Sequence, residues 1–317
     1  MTLLLVGTLT FATLHTLAWL WRLWRSPEHW KPHRAHRLPK PGAKMYRRFS
    51  TFERTLHGLM VLSFFTLAIT GMALKFSFMR WAQVTAALLG GFTVTGVLHR
   101  MAALVLITIW LTHLGDLVKR KKSSGKSWFQ FVMDRRNSLA FTRQDLSDFM
   151  ASIRWFLGRG PRPEYGRWTY WEKFDYFAVL WGMFVIGITG WILWFPELFT
   201  LVLPGAAVNV ATIIHSDEAL LAVAFIFTVH FFNTHFRPDK FPMDPVIFTG
   251  RVSVEELKAD KPREYEELIA SGDLEKNLFD PYPRNAQILF RVIGFTALGI
   301  GLTLIALIVY SMLFGYR

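Results

Sequence analysis

The chain has 317 residues, of which 52% are hydrophobic and 19% charged, and it contains 29 Phe and 13 Trp. This apolar and aromatic content excludes a disordered chain and a collagen-like repeat. The sequence has no cysteine, which excludes disulfides, iron–sulfur clusters held by this chain and thiolate metal sites. Any metal chemistry must therefore depend on His, Met or carboxylate side chains.

Six stretches are long and apolar enough to cross a bilayer, whose hydrocarbon core takes about 20 residues as a helix. They are Leu3–Trp24, Leu56–Phe76, Thr93–Val118, Phe174–Phe195, Ala206–Phe232 and Ile288–Phe314. The first stretch lacks a basic n-region and a small-residue cleavage site, which indicates an anchor helix rather than a signal peptide. The sequence thus predicts an all-α membrane protein with about six transmembrane helices.

These spans divide the chain into segments with distinct expected roles. In chain order we expect an N-terminal anchor helix (1–25), a basic loop (26–54), a first helix hairpin (55–118), a second basic loop (119–173), a second hairpin (174–235), a loop with short helices (236–285) and a C-terminal transmembrane helix (286–317). In the last of these loops, Ser253-Val-Glu-Glu256 is a capping box that predicts a short helix. Pro262 ends that helix or begins a second one.

The basic residues are concentrated on one side of the predicted membrane. Of the 36 Lys and Arg residues, 32 lie in the connections 22–54, 119–173 and 233–291. By the positive-inside rule, these connections face the cytoplasm and both termini lie outside. The net charge of +13 then reflects topology and contact with lipid headgroups, so we set nucleic acid aside. The cytoplasmic loops are expected either to be solvated or to dock a partner.

The second and fourth spans carry the same short pattern. Glu53 is followed by Ile69-Thr-Gly71, and Glu172 is followed by Ile188-Thr-Gly190, and in both cases the glycine is the 18th residue after the glutamate. Each of these spans is followed by one with a histidine near its start. The repeat predicts two antiparallel helix hairpins built to one plan, and so a four-helix core.

Four of the ten histidines form two pairs with similar spacing. His99 and His113 lie 14 residues apart in the third span, and His215 and His230 lie 15 residues apart in the fifth. At about 1.5 Å per residue, the members of a pair are separated by roughly 21 Å and can face one side of the helix. Two haems stacked across a bilayer need axial imidazoles at two such depths, and bis-His ligation favours electron transfer. The spacing therefore predicts a four-helix haem-binding core.

The predicted topology assigns these histidines to two levels. His99 and His215 lie near the outside and are the candidate ligands of an outer haem. His57, His113 and His230 lie near the cytoplasm and are three candidates for the two ligand positions of an inner haem. Spacing alone does not decide among these three.

The other histidines are expected to have different roles. His15 stands alone in the first span and is expected to form a hydrogen bond between helices. His29, His33 and His36 lie among basic residues of the first loop and are expected to be solvated.

Several of these motifs together resemble a known family. Arg54-Thr-Leu-His57 followed by Leu67-Ala-Ile-Thr-Gly71, then Leu98-His99-Arg100, then His215 with His230, resemble the core helices of the formate dehydrogenase gamma subunit and nickel–iron hydrogenase cytochrome b group. The resemblance covers about residues 52–237.

This resemblance implies a ligand set for two b haems. His57 and His230 would bind the inner haem, and His99 and His215 the outer one. His113 is the alternative inner ligand, as in the cytochrome b/b6 pattern, in which two helices each give two ligands. The chain departs from the family in its N-terminal anchor and long cytoplasmic loops. The spacing of His215 and His230 also exceeds the expected 14 residues by one.

The resemblance further implies a function in the bacterial inner membrane. The family forms the membrane half of redox complexes, so the chain is expected to pass electrons between a hydrophilic partner, two haems and a quinone. The partner would be a periplasmic iron–sulfur, molybdenum or multihaem c subunit, and the loops leave room for a cytoplasmic partner. His235 at the cytoplasmic interface is a candidate quinone contact or proton donor. The candidates for contact with the haem propionates are Arg54, Lys75, Arg100 and Lys173.

Two other functions compete with this interpretation. A self-contained cytochrome b561-like reductase would contain the same haems without a stable partner subunit. The chain has no nucleotide-binding fingerprint, so we do not expect it to accept hydride from NAD(P)H by itself. A histidine-lined transporter would be colourless and is typically built on spans broken by Gly or Pro, whereas Pro196 and Pro204 lie between spans.

Overall fold

The computed structural model of the chain describes residues 2–26, 42–237 and 240–315. The α-helices in this part of the chain are α1 (Thr2–Arg25), α2 (Thr51–Lys75), α3 (Arg80–Leu88), α4 (Phe92–Ser123), α5 (Trp128–Val132), α6 (Arg143–Phe156), α7 (Tyr170–Trp194), α8 (Pro196–Phe199), α9 (Ala206–Phe225), α10 (Val246–Thr249), α11 (Val254–Asp260), α12 (Pro262–Ser271), α13 (Asp273–Lys276) and α14 (Arg284–Phe314). The strands are β1 (Met45–Arg47), β2 (Arg251–Ser253) and β3 (Leu278–Phe279). His29, His33 and His36 lie outside the described residues.

Five of the described helices are long and apolar enough to cross a membrane. These are α2, α4, α7, the continuous helix Ala206–Phe236 that begins with α9, and α14. The predicted all-α membrane fold is therefore confirmed. The first predicted span also forms a helix, α1, and its crossing of the membrane stays a prediction.

Three of the spans begin several residues before their predicted apolar stretch, and two of these, α2 and α7, begin at capping boxes. Ser50 caps α2 and exchanges hydrogen bonds with Glu53, and Thr169 caps α7 and exchanges hydrogen bonds with Glu172. A capping box satisfies backbone N–H groups that have no partner within the helix, so it fixes where the helix begins. The glutamates of the repeated pattern thus mark the two helix starts.

The membrane helices pack as the repeat predicted. The most extensive contacts are those of α2 with α4 and of α7 with α9, which makes two antiparallel hairpins. The hairpins meet where α2 contacts α9 and where α4 contacts α7, so each of the four helices touches two others. Helix α14 lies outside this ring and packs against α2 and the C-terminal extension of α9.

The end of the fifth span is not a regular α-helix. Two π-helical turns, Ile226–His230 and Phe232–Phe236, continue α9 toward the predicted cytoplasmic side. A π turn inserts one extra residue without changing the direction of the helix, and such turns often occur at functional sites. Gly301 allows α14 to approach this segment closely, since a Cβ there would lie 2.7 Å from a ring carbon of Phe231.

The described parts of the connections form a folded cap instead of loose loops. Strand β1 pairs antiparallel with β2 and with β3, which joins residues about two hundred positions apart in a three-stranded sheet. Ser253 caps α11 by accepting from the Glu256 N–H, and Pro262 begins α12, so both predicted short helices are confirmed. The Glu256 side chain does not complete the capping box. It binds Lys240 at 2.8 Å instead.

Buried charges hold the cap together. The Lys240 ammonium lies within 2.9 Å of carboxylate oxygens of Asp244, Glu256 and Asp260. Burial raises the pKa of Glu256 to about 7, although Lys240 opposes the shift. The cap is tied to the spans by Lys261, whose Nζ lies 2.6 Å from the Glu172 carboxylate at the start of α7.

Helix α1 packs against the cap and the start of α7. The His15 Nε2 and the Tyr170 hydroxyl form a hydrogen bond of 2.7 Å between the two helices. The predicted role of His15 is therefore confirmed. Trp19 is buried with Trp155 and Trp171 in an aromatic cluster that joins α1, α6 and α7.

A buried ion pair at the start of α7 gives a testable stability effect. The Lys173 Nζ lies 2.8 Å from Asp145, and the two side chains are only 2% and 7% exposed. Lys173→Met leaves a buried carboxylate without its cation, so we expect the free energy of unfolding to fall by about 3–5 kcal/mol. Urea unfolding in detergent, followed by Trp fluorescence, measures this change.

The exposed pair Lys44–Asp280 provides the control, with side chains 58% and 78% exposed. Solvent screens such a pair, so Lys44→Met should change stability little. Equal losses in the two variants would contradict the assigned role of the buried pair.

Candidate functional site

Two histidines face each other between the hairpins near the predicted outer side. The ring centroids of His99 on α4 and His215 on α9 are 6.2 Å apart. Metal–imidazole bonds of about 2.0–2.1 Å, as known for zinc, and a ring radius of about 1.1 Å place two trans imidazole centroids about 6.3 Å apart. The observed separation fits one metal ion held between the two rings.

Hydrogen bonds fix which nitrogen of these rings can bind a metal. The His215 Nδ1 lies 3.0 Å from the backbone oxygen of Ile186, which can only accept, so Nδ1 carries the proton. The Nε2 lone pair is then available for coordination. An outer-shell hydrogen bond of this kind is the usual partner of a metal-bound histidine.

Threonines of the repeated pattern complete the arrangement. The Thr70 hydroxyl donates to Thr66 O at 2.6 Å, and its oxygen lies 2.9 Å from the His99 Nδ1. The Thr189 hydroxyl donates to a carbonyl of its own helix and lies 3.3 Å from the His215 Nδ1. Because each hydroxyl already donates its proton to a backbone carbonyl, the hydroxyl oxygen accepts from the Nδ1–H of its histidine.

The glycine of each pattern gives the imidazole its space. A Cβ on Gly71 would lie 3.1 Å from the Cε1 of His99, and a Cβ on Gly190 would lie 3.1 Å from the Cε1 of His215. Both contacts are tighter than an ordinary carbon–carbon approach. The Thr–Gly pair thus positions a histidine of the next helix in both hairpins.

Gly190→Ala should therefore displace the His215 ring by a few tenths of an ångström. We expect retention of a group bound there to weaken by roughly 10–100-fold, as for the loss of other outer-shell contacts. Titrating haem into the purified, haem-depleted variant measures this. The control is Gly187→Ala, one turn earlier, where a Cβ meets nothing within 4 Å. Equal affinity in the two variants would contradict the proposed fit.

A second cluster lies near the opposite ends of the same helices, on the predicted cytoplasmic side. The His230 Nδ1 lies 2.9 Å from Oδ2 of Asp175 on α7. His57 on α2 is close enough to His230 and His235 for their charges to interact. The π turn that ends at His230 absorbs the extra residue in its spacing from His215. His230 therefore lies on nearly the same face of the helix as it would if 14 residues separated it from His215.

His113 is held differently from the other inner candidates. Its Nε2 lies 2.9 Å from the hydroxyl of Tyr176 on α7. The charged groups acting on it are Asp116 and Arg120 rather than another histidine. The nitrogen that ligation would need is thus engaged with Tyr176.

His235 has the opposite hydrogen-bond pattern to His215 and His230. The backbone N–H of Asp244 donates to its Nδ1 at 3.2 Å. A neutral His235 therefore carries its proton on Nε2, which makes it a hydrogen-bond donor at the predicted cytoplasmic end of the span.

The basic residues proposed for propionate contacts all have protein partners. Arg54 donates to Phe248 O at 2.8 Å and Thr249 O at 3.1 Å. Lys75 binds Asp217 at 3.3 Å, and Lys173 is paired with Asp145 in the buried pair described above. The Arg100 guanidinium lies 5.6 Å from the ring centroid of Trp194, a contact that does not use its N–H donors.

The donor set suits haem better than a metal ion held by protein ligands alone. In the described part of the chain, no group of three or more His, Asp and Glu residues surrounds a common point. A haem iron needs only two axial ligands, and imidazoles at two depths, with Nδ1–H groups bonded to acceptors, meet that need.

Two kinds of functional residue had no assigned role in the sequence interpretation. Thr70 and Thr189 belong to the repeated Ile-Thr-Gly pattern. In the structure each lies beside a histidine of the next helix. Asp175 is an ionisable residue inside a predicted span, a feature that by itself signals a functional site. Its partner His230 is 55 residues away, so the pairing could not be read from local sequence.

The comparison with known families agrees with this geometry. Residues 48–236 match the sequence pattern of the family described as prokaryotic cytochrome b561. The match covers more than half of the chain, from just before α2 to the second π turn. No curated protein matches the chain. The chain therefore belongs to the prokaryotic cytochrome b561 family, the nickel–iron hydrogenase cytochrome b group, and is a membrane cytochrome b that functions in electron transfer.

Proposed function

We propose that the chain is a di-haem b subunit that passes electrons across the bilayer between a hydrophilic partner subunit and the quinone pool. The main support is the presence of imidazole groups at two depths in one four-helix ring, with His99 and His215 separated by the distance that a bis-His iron requires. His57 and His230 are the proposed inner ligands. Haem b supplies reversible one-electron transfer at each level when it is bound.

The protein residues have separate roles in this proposal. Thr70 and Thr189 orient the outer imidazoles, and Asp175 orients His230. The ring of apolar helices keeps water from the bound groups. Arg100 follows His99 directly and is the proposed propionate partner at the outer level, because its N–H donors are not used by Trp194. At the inner level this role goes to Arg54, three residues before His57.

The quinone site is proposed at the cytoplasmic end of the ring, beside His57 and His235. Quinone reduction consumes protons, and a neutral His235 carries its proton on Nε2. His235→Phe removes this donor, so we expect both haems to stay bound while the rate of haem oxidation by added quinone falls at least tenfold. Stopped-flow spectroscopy measures that rate. An unchanged rate would exclude His235 from the quinone site.

The di-haem assignment is tested by a reduced-minus-oxidised visible spectrum of the purified protein, with haem quantified per chain. Two b-type haems per chain is the expected result. One haem per chain would exclude electron transfer between two levels, and none would restore the transporter interpretation. Copurification from membranes solubilised in mild detergent tests the partner subunit. A protein that reduces quinone alone, at full rate with a small donor, would favour a self-contained reductase.

Sidedness is part of the same proposal. The concentration of Lys and Arg in the cap supports a cytoplasmic cap, both termini outside and location in the bacterial inner membrane. The cap also offers a folded surface to a cytoplasmic partner. Alkaline phosphatase fusions are expected to be active after residue 90 and inactive after residue 160. The reverse pattern would place the cap outside.

A further inference from the structure

The inner and outer histidines differ in the group that accepts their Nδ1–H. At the outer level both acceptors are neutral, a threonine hydroxyl for His99 and a backbone carbonyl for His215. At the inner level, His230 donates to the carboxyl group of Asp175 at 2.9 Å. The two levels therefore differ in the chemical group that accepts from a ligand, although their helices are built to one plan.

Burial of the Asp175 carboxyl group is energetically unfavourable. It is only 9% exposed, and its second oxygen, Oδ1, has no hydrogen-bond partner among the described residues. Its other oxygen contacts His230, whereas nearby Glu172 is paired with two cations, Arg48 and Lys261. A buried carboxylate with so few partners destabilises a fold. The position of Asp175 is therefore better explained by its contact with His230 than by a contribution to the stability of the fold.

From this contrast we infer that Asp175 is a positioning residue that sets the reduction potential at the inner level below that at the outer level. The inference rests on the proposed function, because it takes His230 as an axial ligand.

The direction follows from this hydrogen bond. A hydrogen bond from Nδ1 to a carboxyl group makes Nε2 a more basic and stronger donor. A stronger donor stabilises ferric over ferrous iron and lowers the potential. An electron shared between the levels is then held preferentially beside His99 and His215. Transfer from the outer to the inner level is uphill, and transfer in the reverse direction is downhill.

The test is a redox titration of the purified protein with Asp175→Asn and Asp175→Thr, followed in the visible spectrum. Asp175→Thr gives His230 a neutral hydroxyl acceptor of the kind that Thr70 gives His99. In either variant we expect the lower of the two midpoint potentials to rise and the higher one to stay. The expected rise corresponds to at least a tenfold change in the ferric/ferrous equilibrium constant, or about 59 mV for one electron. The electron paramagnetic resonance signal of only one haem should move.

Asp175→Glu and Thr189→Val are the matched controls. The first keeps the carboxyl group and should retain a low inner potential, and the second should affect only the higher potential. Unchanged potentials in both neutral variants would overturn the inference while leaving the di-haem proposal intact. Loss of the inner haem from both neutral variants would also overturn it, because Asp175 would then serve only to retain the haem. Absence of two haems in the parent protein would instead reject the proposed function.

Discussion

Replacing His99 with alanine is expected to leave one b-type haem per chain instead of two, and His215→Ala is expected to remove the same haem. The two rings lie 6.2 Å apart between the hairpins, so one iron takes a ligand from each. Loss of either imidazole leaves a single axial bond in an apolar ring of helices. The remaining haem should keep the lower midpoint potential, since its ligand His230 bonds to Asp175. Haem quantification per chain and a redox titration measure both effects.

His15→Phe is the matched control for these variants. His15 is also a histidine in a predicted span, but its hydrogen-bond partner is Tyr170, at 2.7 Å, and not another histidine. The control should therefore retain two haems with unchanged potentials. Two haems in either His99→Ala or His215→Ala would reject the outer assignment. If His99→Ala and His215→Ala lost different haems, the two imidazoles would not share an iron.

The membrane helices were predictable because their signal is local. A bilayer requires about 20 apolar residues in a row, and the hairpins were predicted from the repeated Ile-Thr-Gly pattern. The helix starts at Ser50 and Thr169 were not predicted, although both are capping boxes that can be read directly from the sequence. Apolar composition alone locates the first residue inside the membrane. The capping hydrogen bonds start the helix several residues earlier, in the interface.

The cap was harder to predict because its contacts are not local. Strand β1 has three residues and pairs with a strand about two hundred positions later, so neither strand has a pattern of its own. The same limit applies to Asp175 and His230, on different helices. The π turn before His230 is also set by packing, since Gly301 on α14 leaves the space that Phe227 and Phe231 occupy. A count that assumes a regular α-helix therefore misplaces the direction of the His230 side chain by one residue.

The inner ligand pair gives the second large expected effect. His57→Ala should remove the inner haem and leave the outer one, whereas His113→Phe should leave two haems. His57 lies close to His230, and the Nε2 of His113 is bonded to Tyr176 at 2.9 Å. Phenylalanine keeps the ring volume at position 113, so the helix packing between α4 and α7 should be maintained. Haem content and the spectrum of the reduced protein distinguish the two variants.

The opposite outcome has an equally clear structural meaning. If His113→Phe lost the inner haem and His57→Ala kept it, each of α4 and α9 would give two ligands, and the Tyr176 hydroxyl would have to release His113 on binding. Tyr176→Phe separates these cases, because it should leave both haems in place if His57 is the ligand. It should strengthen retention of the inner haem if His113 is the ligand, since the competing hydrogen bond is removed. The choice between the two ligand patterns thus depends on one hydroxyl group between α4 and α7.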